Sequence, residues 1–116
     1  MVPTRQLLRQ IAPDVCVAPQ LTPEAMADLA AMGFKSVVNN RPDFEEGPEQ
    51  PTSAQVEAAA KAAGLAYAYL PVQPAYHSPE EIARMAELVA ALPRPMVAFC
   101  RSGNRSGKLY QAATSR

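Results

Sequence analysis

The sequence predicts an α/β protein with one mostly parallel central sheet flanked by helices, and three observations carry that prediction. Short strand-like apolar runs alternate with stretches whose apolar residues recur at helical spacing. Two of the helical stretches open with a capping signature, Thr52-x-x-Gln55 and Ser78-x-x-Glu81. The run Met96-Val97-Ala98-Phe99 is unbroken and apolar, as expected of a central strand buried on both faces. At 116 residues the chain fits a single domain, with enough length to bury a core without covalent staples.

Each element has a local reason. Gln10 to Ala18 (QIAPDVCVA) reads as one strand or a small hairpin around Pro13-Asp14. Thr22-Pro23-Glu24 places a capping hydroxyl, a first-turn proline and an acid where a helix start wants them, with Met26, Leu29 and Ala30 on one face and Gly33 as the stop. Phe34 to Asn39 is the next strand. The Thr52 capping box opens a helix whose apolar side is Val56, Ala59, Ala60 and Ala63, ended by Gly64. Leu65 to Leu70 is a strand stopped by Pro71, and the Ser78 box opens a helix with Ile82, Met85, Val89 and Leu92 inward. Asn104 to Thr114 is predicted to be a last helix. Arg41 to Pro51 (RPDFEEGPEQP) has no pattern, and loops of that length are commonly functional or mobile.

Composition narrows the function. Eleven basic residues balance eleven acidic ones, which excludes a global electrostatic footprint for nucleic acid or an anionic membrane while leaving room for a local anion site. Two cysteines, Cys16 and Cys100, are too few for a disulfide framework and are read as two thiols. No apolar run approaches a signal core or a membrane span, so a cytoplasmic protein is expected.

The chemistry concentrates at Cys100-Arg101-Ser102-Gly103-Asn104-Arg105-Ser106, between the buried strand and the last helix. Ligands of open parallel sheets bind beyond the carboxyl ends of the strands. A helix N-terminus there offers unpaired N–H groups and about half a positive charge, and a tight glycine turn adds a nest of further N–H groups. Helix N-termini with nearby cations bring a thiol from ~8.5 down to ~3.5–7.5, so Cys100 is the expected nucleophile. Arg105 supplies a planar fork for oxyanions and Arg101 a second cation. Gly103 permits the positive φ of a curled loop. Ser102, Asn104 and Ser106 complete the expected anion-binding set, although Ser106 equally reads as a helix-face hydroxyl. Cys16, in Val15-Cys16-Val17 with no cation beside it, reads as core.

The loop Cys100 to Arg105 resembles the active loop of rhodanese-type sulfurtransferases, with four residues between cysteine and arginine. Tyrosine phosphatases place His-Cys, five residues, then Arg; here Phe99 stands for the histidine and one residue is missing. Over nearly its whole length the chain resembles another family. Val17-Ala18-Pro19-Gln20-Leu21-Thr22-Pro23, Val37-Val38-Asn39-Asn40-Arg41-Pro42-Asp43 and the Cys100 loop are similar to the β-lactamase hydrolase-like, phosphatase-like domains, also known as a sulfur transferase family. The resemblance implies a fold of the dual-specificity or tyrosine phosphatase type. It also implies, as a partner, a metallo-β-lactamase-fold persulfide dioxygenase.

Two reactions follow. A phosphatase forms a phosphocysteine, so its loop surrounds three oxygens and an acid protonates the leaving group. A sulfurtransferase forms a cysteine persulfide, cradles one sulfur, and releases sulfite without protonation. The shorter loop favours the smaller guest, and Pro71 to His77, where a phosphatase acid is expected, contains no carboxylate. The sequence therefore favours sulfur transfer from a small anionic donor such as thiosulfate or a persulfide. The alternatives are phosphoester hydrolysis, or a non-enzymatic carrier or sensor of sulfane sulfur. Neither reaction requires a metal or cofactor.

Three further residues are candidates for the rim. Asp43 is read as an acid or as a turn cap, and His77 as an acid or as a solvated residue before a helix. Arg41 is read as an anion-binding residue or as the ion-pair partner of Asp43, Glu45 or Glu46. The acidic residues from 43 to 49 are expected to face solvent, and Tyr67, Tyr69 and Tyr110 to be packing residues.

Overall fold

Five strands in the order β1-β2-β5-β3-β4 form the sheet, antiparallel at β1–β2 and parallel at every other pairing. In the computed structural model, which describes residues 2–115, a short helix α1 (Thr4–Leu7) leads into a hairpin of β1 (Arg9–Ala12) and β2 (Val15–Ala18). Then follow α2 (Ala25–Ala31), β3 (Ser36–Asn39), α3 (Ser53–Ala62), β4 (Ala66–Tyr69), α4 (Pro79–Ala91), β5 (Met96–Phe99) and α5 (Asn104–Thr114). The α/β prediction holds, and of the two readings of residues 10–18 the hairpin is the one formed.

Period-two alternation sorts the core into two layers. Val15, Val17, Val38, Met96 and Ala98 face α4 and α5, where Met85, Leu88, Val89 and Leu109 meet them. Ala18, Val37, Val97 and Phe99 face the other way, onto Leu21, Met26, Leu29, Val56 and Ala60 of the α2–α3 layer. All four residues of β5 are fully buried, which is why that strand lacks a polar face.

Both predicted capping boxes form, with the side chains of Thr52 and Ser78 accepting from the third residue of their helices and Gln55 and Glu81 bonding back. The start of α2 differs. The N–H groups of Ala25 and Met26 donate to the carbonyls of Thr22 and Pro23, so a tight turn precedes the helix and Thr22 caps it through its backbone. Helix α1 was not expected, because four residues carry no periodicity to read.

Parallel pairing places the strand ends together: Ala18 and Asn39 both stand opposite Phe99, and Tyr69 stands opposite Asn39. The loops that follow β2, β3, β4 and β5 therefore crowd one edge of the sheet. Thr52→Ala and Ser78→Ala should each lower the unfolding free energy by about 1 kcal/mol. The two helices lie on opposite faces, so urea midpoints of the double variant should show additive losses.

Candidate active site

The turn from β5 into α5 is shaped by one glycine. Gly103 has φ +93°, and a Cβ there would stand 3.3 Å from the Ala18 carbonyl carbon and 3.4 Å from its oxygen, so both conformation and space exclude a side chain. The same Ala18 carbonyl accepts the Cys100 N–H at 3.2 Å. So curled, the loop brings the Gly103 N–H to the Cys100 Sγ at 3.0 Å. Asn104 begins α5, which puts the positive end of that helix at the sulfur. Among the described residues the N–H groups of Arg101, Ser102 and Arg105 make no hydrogen bond, and that of Asn104 donates to Ser102 Oγ at 3.3 Å. Cys100 itself is fully buried.

Arg105 is buried as well, and a guanidinium cannot shed its charge, so it must be paired. Its two terminal nitrogens donate to Glu45 Oε2 and Oε1 at 3.0 and 3.2 Å, and one of them also to the Val72 carbonyl at 3.2 Å. Its Nε is buried without a partner among the described residues. Glu45 accepts in addition from Arg41 Nε at 2.9 Å, and Glu46 pairs with Arg101 Nε at 2.9 Å. Burial pushes the Glu45 carboxyl up, but the hydrogen bonds and charges of Arg105 and Arg41 outweigh it and hold the group below its ordinary range.

The expectation that the acidic residues of this loop face solvent is thus wrong for Glu45. Three arginines at one sheet edge create a field that draws in a carboxylate, and the loop is built to deliver it. Phe44 adopts φ +62° and Gly47 φ +106°, the Glu46 N–H donates to Gln50 Oε1, and Gln50 Nε2 donates to the Pro42 carbonyl. The stretch without a sequence pattern is a hydrogen-bonded loop.

The other candidates divide. Arg41 is buried, with its N–H on Asn39 Oδ1 and its guanidinium on Gln20 Oε1 and Glu45; it meets Arg105 through the shared carboxylate, which is the ion-pair reading. Asp43 Oδ1 accepts the Ser53 N–H at 2.7 Å at the start of α3, ten residues on, rather than capping a turn beside Pro42. Ser106 Oγ donates to Asn40 Oδ1 at 2.8 Å and so ties α5 to the end of β3. His77 Nε2 is buried without a partner among the described residues. Tyr67 and Tyr69 do more than pack. The Tyr67 hydroxyl accepts from Asn39 Nδ2 and bonds Ser53 Oγ, and the Tyr69 hydroxyl accepts the Asp43 N–H. Burial raises the Tyr67 hydroxyl above its usual value. Cys16 is half-buried in the core, and burial raises its thiol too. Sequence reasoning missed Gln20 as part of the site's frame, and it offered Glu45 only as one of three partners for Arg41, not for Arg105; Asn40, which the sequence reads as a rim residue or a ligand of loop backbone, bonds the Leu70 carbonyl and Ser106.

A cavity of about 400 Å³ opens on this edge, lined by Glu45, Pro74, Arg101, Ser102, Asn104 and Arg105 with Lys108 beside them. Among the described residues no cluster of His, Cys, Asp and Glu is placed to hold a metal, and no helix is long and apolar enough to cross a membrane.

The family profile for the β-lactamase hydrolase-like protein, phosphatase-like domain, matches residues 7–115. The chain belongs to that family. The family's curated Beta-lactamase hydrolase-like protein from Agrobacterium fabrum is 40% identical over 82 residues, which are 71% of this chain and 19% of that protein. The chain thus spans about a fifth of the length of the curated relatives it matches. A solved structure of a candidate phosphatase from Neisseria meningitidis superposes with a TM-score of 0.80 at 28% identity, over 90% of this chain and 72% of that one. The core catalytic domain of the PP-IP phosphatase Siw14 from S. cerevisiae, bound to citrate, gives 0.67 at 18% identity over 89% and 61%, a likeness of fold. The family therefore has a phosphatase-like fold; the rhodanese likeness is confined to the spacing within the Cys100 loop.

Gly103→Ala should cost about 1–3 kcal/mol through backbone strain, read as a lower urea midpoint. Glu45→Gln leaves two buried guanidinium groups short of a charge and should cost about 1–3 kcal/mol at neutral pH. Because the folded-state carboxyl of Glu45 lies below its unfolded value, the pair stabilises fully above ~4.3 and is lost as pH falls through the folded value. Below ~4.3 the gap in urea midpoint between wild type and Glu45→Gln should therefore close.

Proposed function

We propose that the domain is a cysteine-dependent phosphatase acting on a small phosphomonoester. The observation that carries this reading is the Cys100 sulfur receiving the Gly103 N–H at the head of α5, in the same turn as a buried Arg105 whose Nε has no partner. Glu45 and Val72 fix the outer nitrogens of Arg105, which leaves Nε and the free loop N–H groups for an oxyanion. The phosphatase-like fold supports this over the sulfur transfer that loop length favours, and the cavity above the loop has room for an ester.

In the first step the thiolate attacks phosphorus, the P–O ester bond breaks, and the leaving alkoxide takes a proton. Water then attacks the phosphocysteine, returning the thiolate and releasing phosphate and a proton. The loop N–H groups and Arg105 stabilise the charge on the transferring group. Glu45 is held ionised by two arginines and has no proton to give, and the Asp43 carboxylate is engaged with Ser53. His77, on the β4–α4 loop with Pro74, is the acid this reading assigns. The Arg101–Glu46 pair beside the loop is mostly exposed, and such pairs contribute under ~1 kcal/mol.

The four-residue spacing favours a second reading. There the Cys100 thiolate attacks the outer sulfur of thiosulfate, the S–S bond to the sulfonate breaks, sulfite leaves with the electron pair, and a cysteine persulfide remains. A persulfide dioxygenase partner belongs with this reading.

Assaying aryl phosphate hydrolysis and thiosulfate-to-cyanide sulfur transfer on one preparation separates the two. Phosphate release without sulfur transfer, abolished in Cys100→Ser, is expected. Sulfur transfer alone, with one added sulfur by mass, would assign the second reading. Arg105→Lys should lower turnover by about 10²–10³-fold through lost charge stabilisation.

A further inference from the structure

Beside the mouth of the Cys100 site lies a second cavity of about 400 Å³, between β1 and α5. Asn104 and Lys108 line both cavities, so the two share a wall. The rest of the second lining includes Arg9, Ile11, Tyr110 and Gln111. Ile11 packs against the core layer that α4 and α5 cover, and Arg9 lines the same cavity although the β1–β2 register shifts between Gln10 and Ala12. Gly107 faces the arginine: a Cβ at that position would stand in contact, 3.4 Å from an Arg9 terminal nitrogen.

The charges differ from those around Cys100. Arg41, Arg101 and Arg105 each hold a carboxylate, whereas among the described residues Arg9 and Lys108 are in no ion pair. Two uncommitted cations therefore stand on a wall that also offers the apolar surface of Ile11 and Tyr110, next to the site to which the phosphatase reading assigns one anion. We infer that this cavity is a second anion subsite, taking a further phosphate carried by the same substrate, with the organic body between the two phosphates lying against Ile11 and Tyr110. The inference rests on the phosphatase reading of Cys100 and names its substrate class, an organic bisphosphate. Two linked anions engaging adjoining sites gain from effective concentration, and the gain depends on the spacer matching the span.

The test uses Cys100→Ser protein, which binds without turnover, and calorimetric titration with alkyl monophosphates and alkanediol bisphosphates of graded length. At the best spacer the bisphosphate should bind about tenfold more tightly than the matched monophosphate. Arg9→Ala should remove about fivefold of that advantage, one exposed charge contact, and leave monophosphate binding unchanged. Gly107→Leu, which fills the cavity and keeps both cations, should reduce the advantage too. Equal binding of mono- and bisphosphates at every spacer, or an advantage that survives both substitutions, would overturn the subsite. Failure of the phosphatase reading looks different: no monophosphate binding, or binding indifferent to Arg105→Ala, and the subsite then falls with it.

Discussion

A permanently charged guanidinium sunk at the carboxyl edge of the sheet organises this domain. Arg105 cannot be neutralised, and burial denies it water, so the surrounding loops must supply acceptors. Glu45 arrives from the loop after β3 and the Val72 carbonyl from the loop after β4. Arg41 then joins through the shared carboxylate, and Gln20 from the loop after β2 binds Arg41. One buried charge thus ties together the chain following β2, β3, β4 and β5. Its remaining nitrogen has no partner among the described residues, which leaves a donor free for an anion.

The second constraint is steric and lies beneath the first. Gly103 packs against the backbone of Ala18, and only that contact distance allows the loop to turn its N–H back onto the Cys100 sulfur. Ser106, committed to Asn40, fixes the first turn of α5 to the end of β3. The Cys100 thiol is fully buried, while Arg101 on the same loop is joined to Glu46 by an exposed ion pair.

Much of this was legible in the residues. The capping boxes at Thr52 and Ser78, the fully apolar β5 and the glycine between cysteine and arginine each follow local rules that tertiary context did not override. The Cys100–Arg105 loop was legible because its residue types occur together at a strand-to-helix turn. The Glu45–Arg105 pair was not, because an acid in a polar loop looks solvated until the fold sets it against two buried arginines. Tyr67 and Tyr69 were missed for the same reason: their rings sit where packing residues sit, and only the strand register shows that their hydroxyls meet Asn39, Ser53 and Asp43. The role of Thr22 shifted from side-chain cap to backbone acceptor, a distinction that pattern alone does not carry.

The most direct test of the anion site is an NMR titration of the ¹⁵N-labelled protein with orthophosphate, following the amides of residues 101–106 and the Arg105 Nε–H. Saturable shifts confined to those signals, and absent in Arg105→Ala, are the result this account predicts. An Arg105 Nε–H that stays unmoved while phosphate shifts only exposed lysines and arginines elsewhere would contradict it.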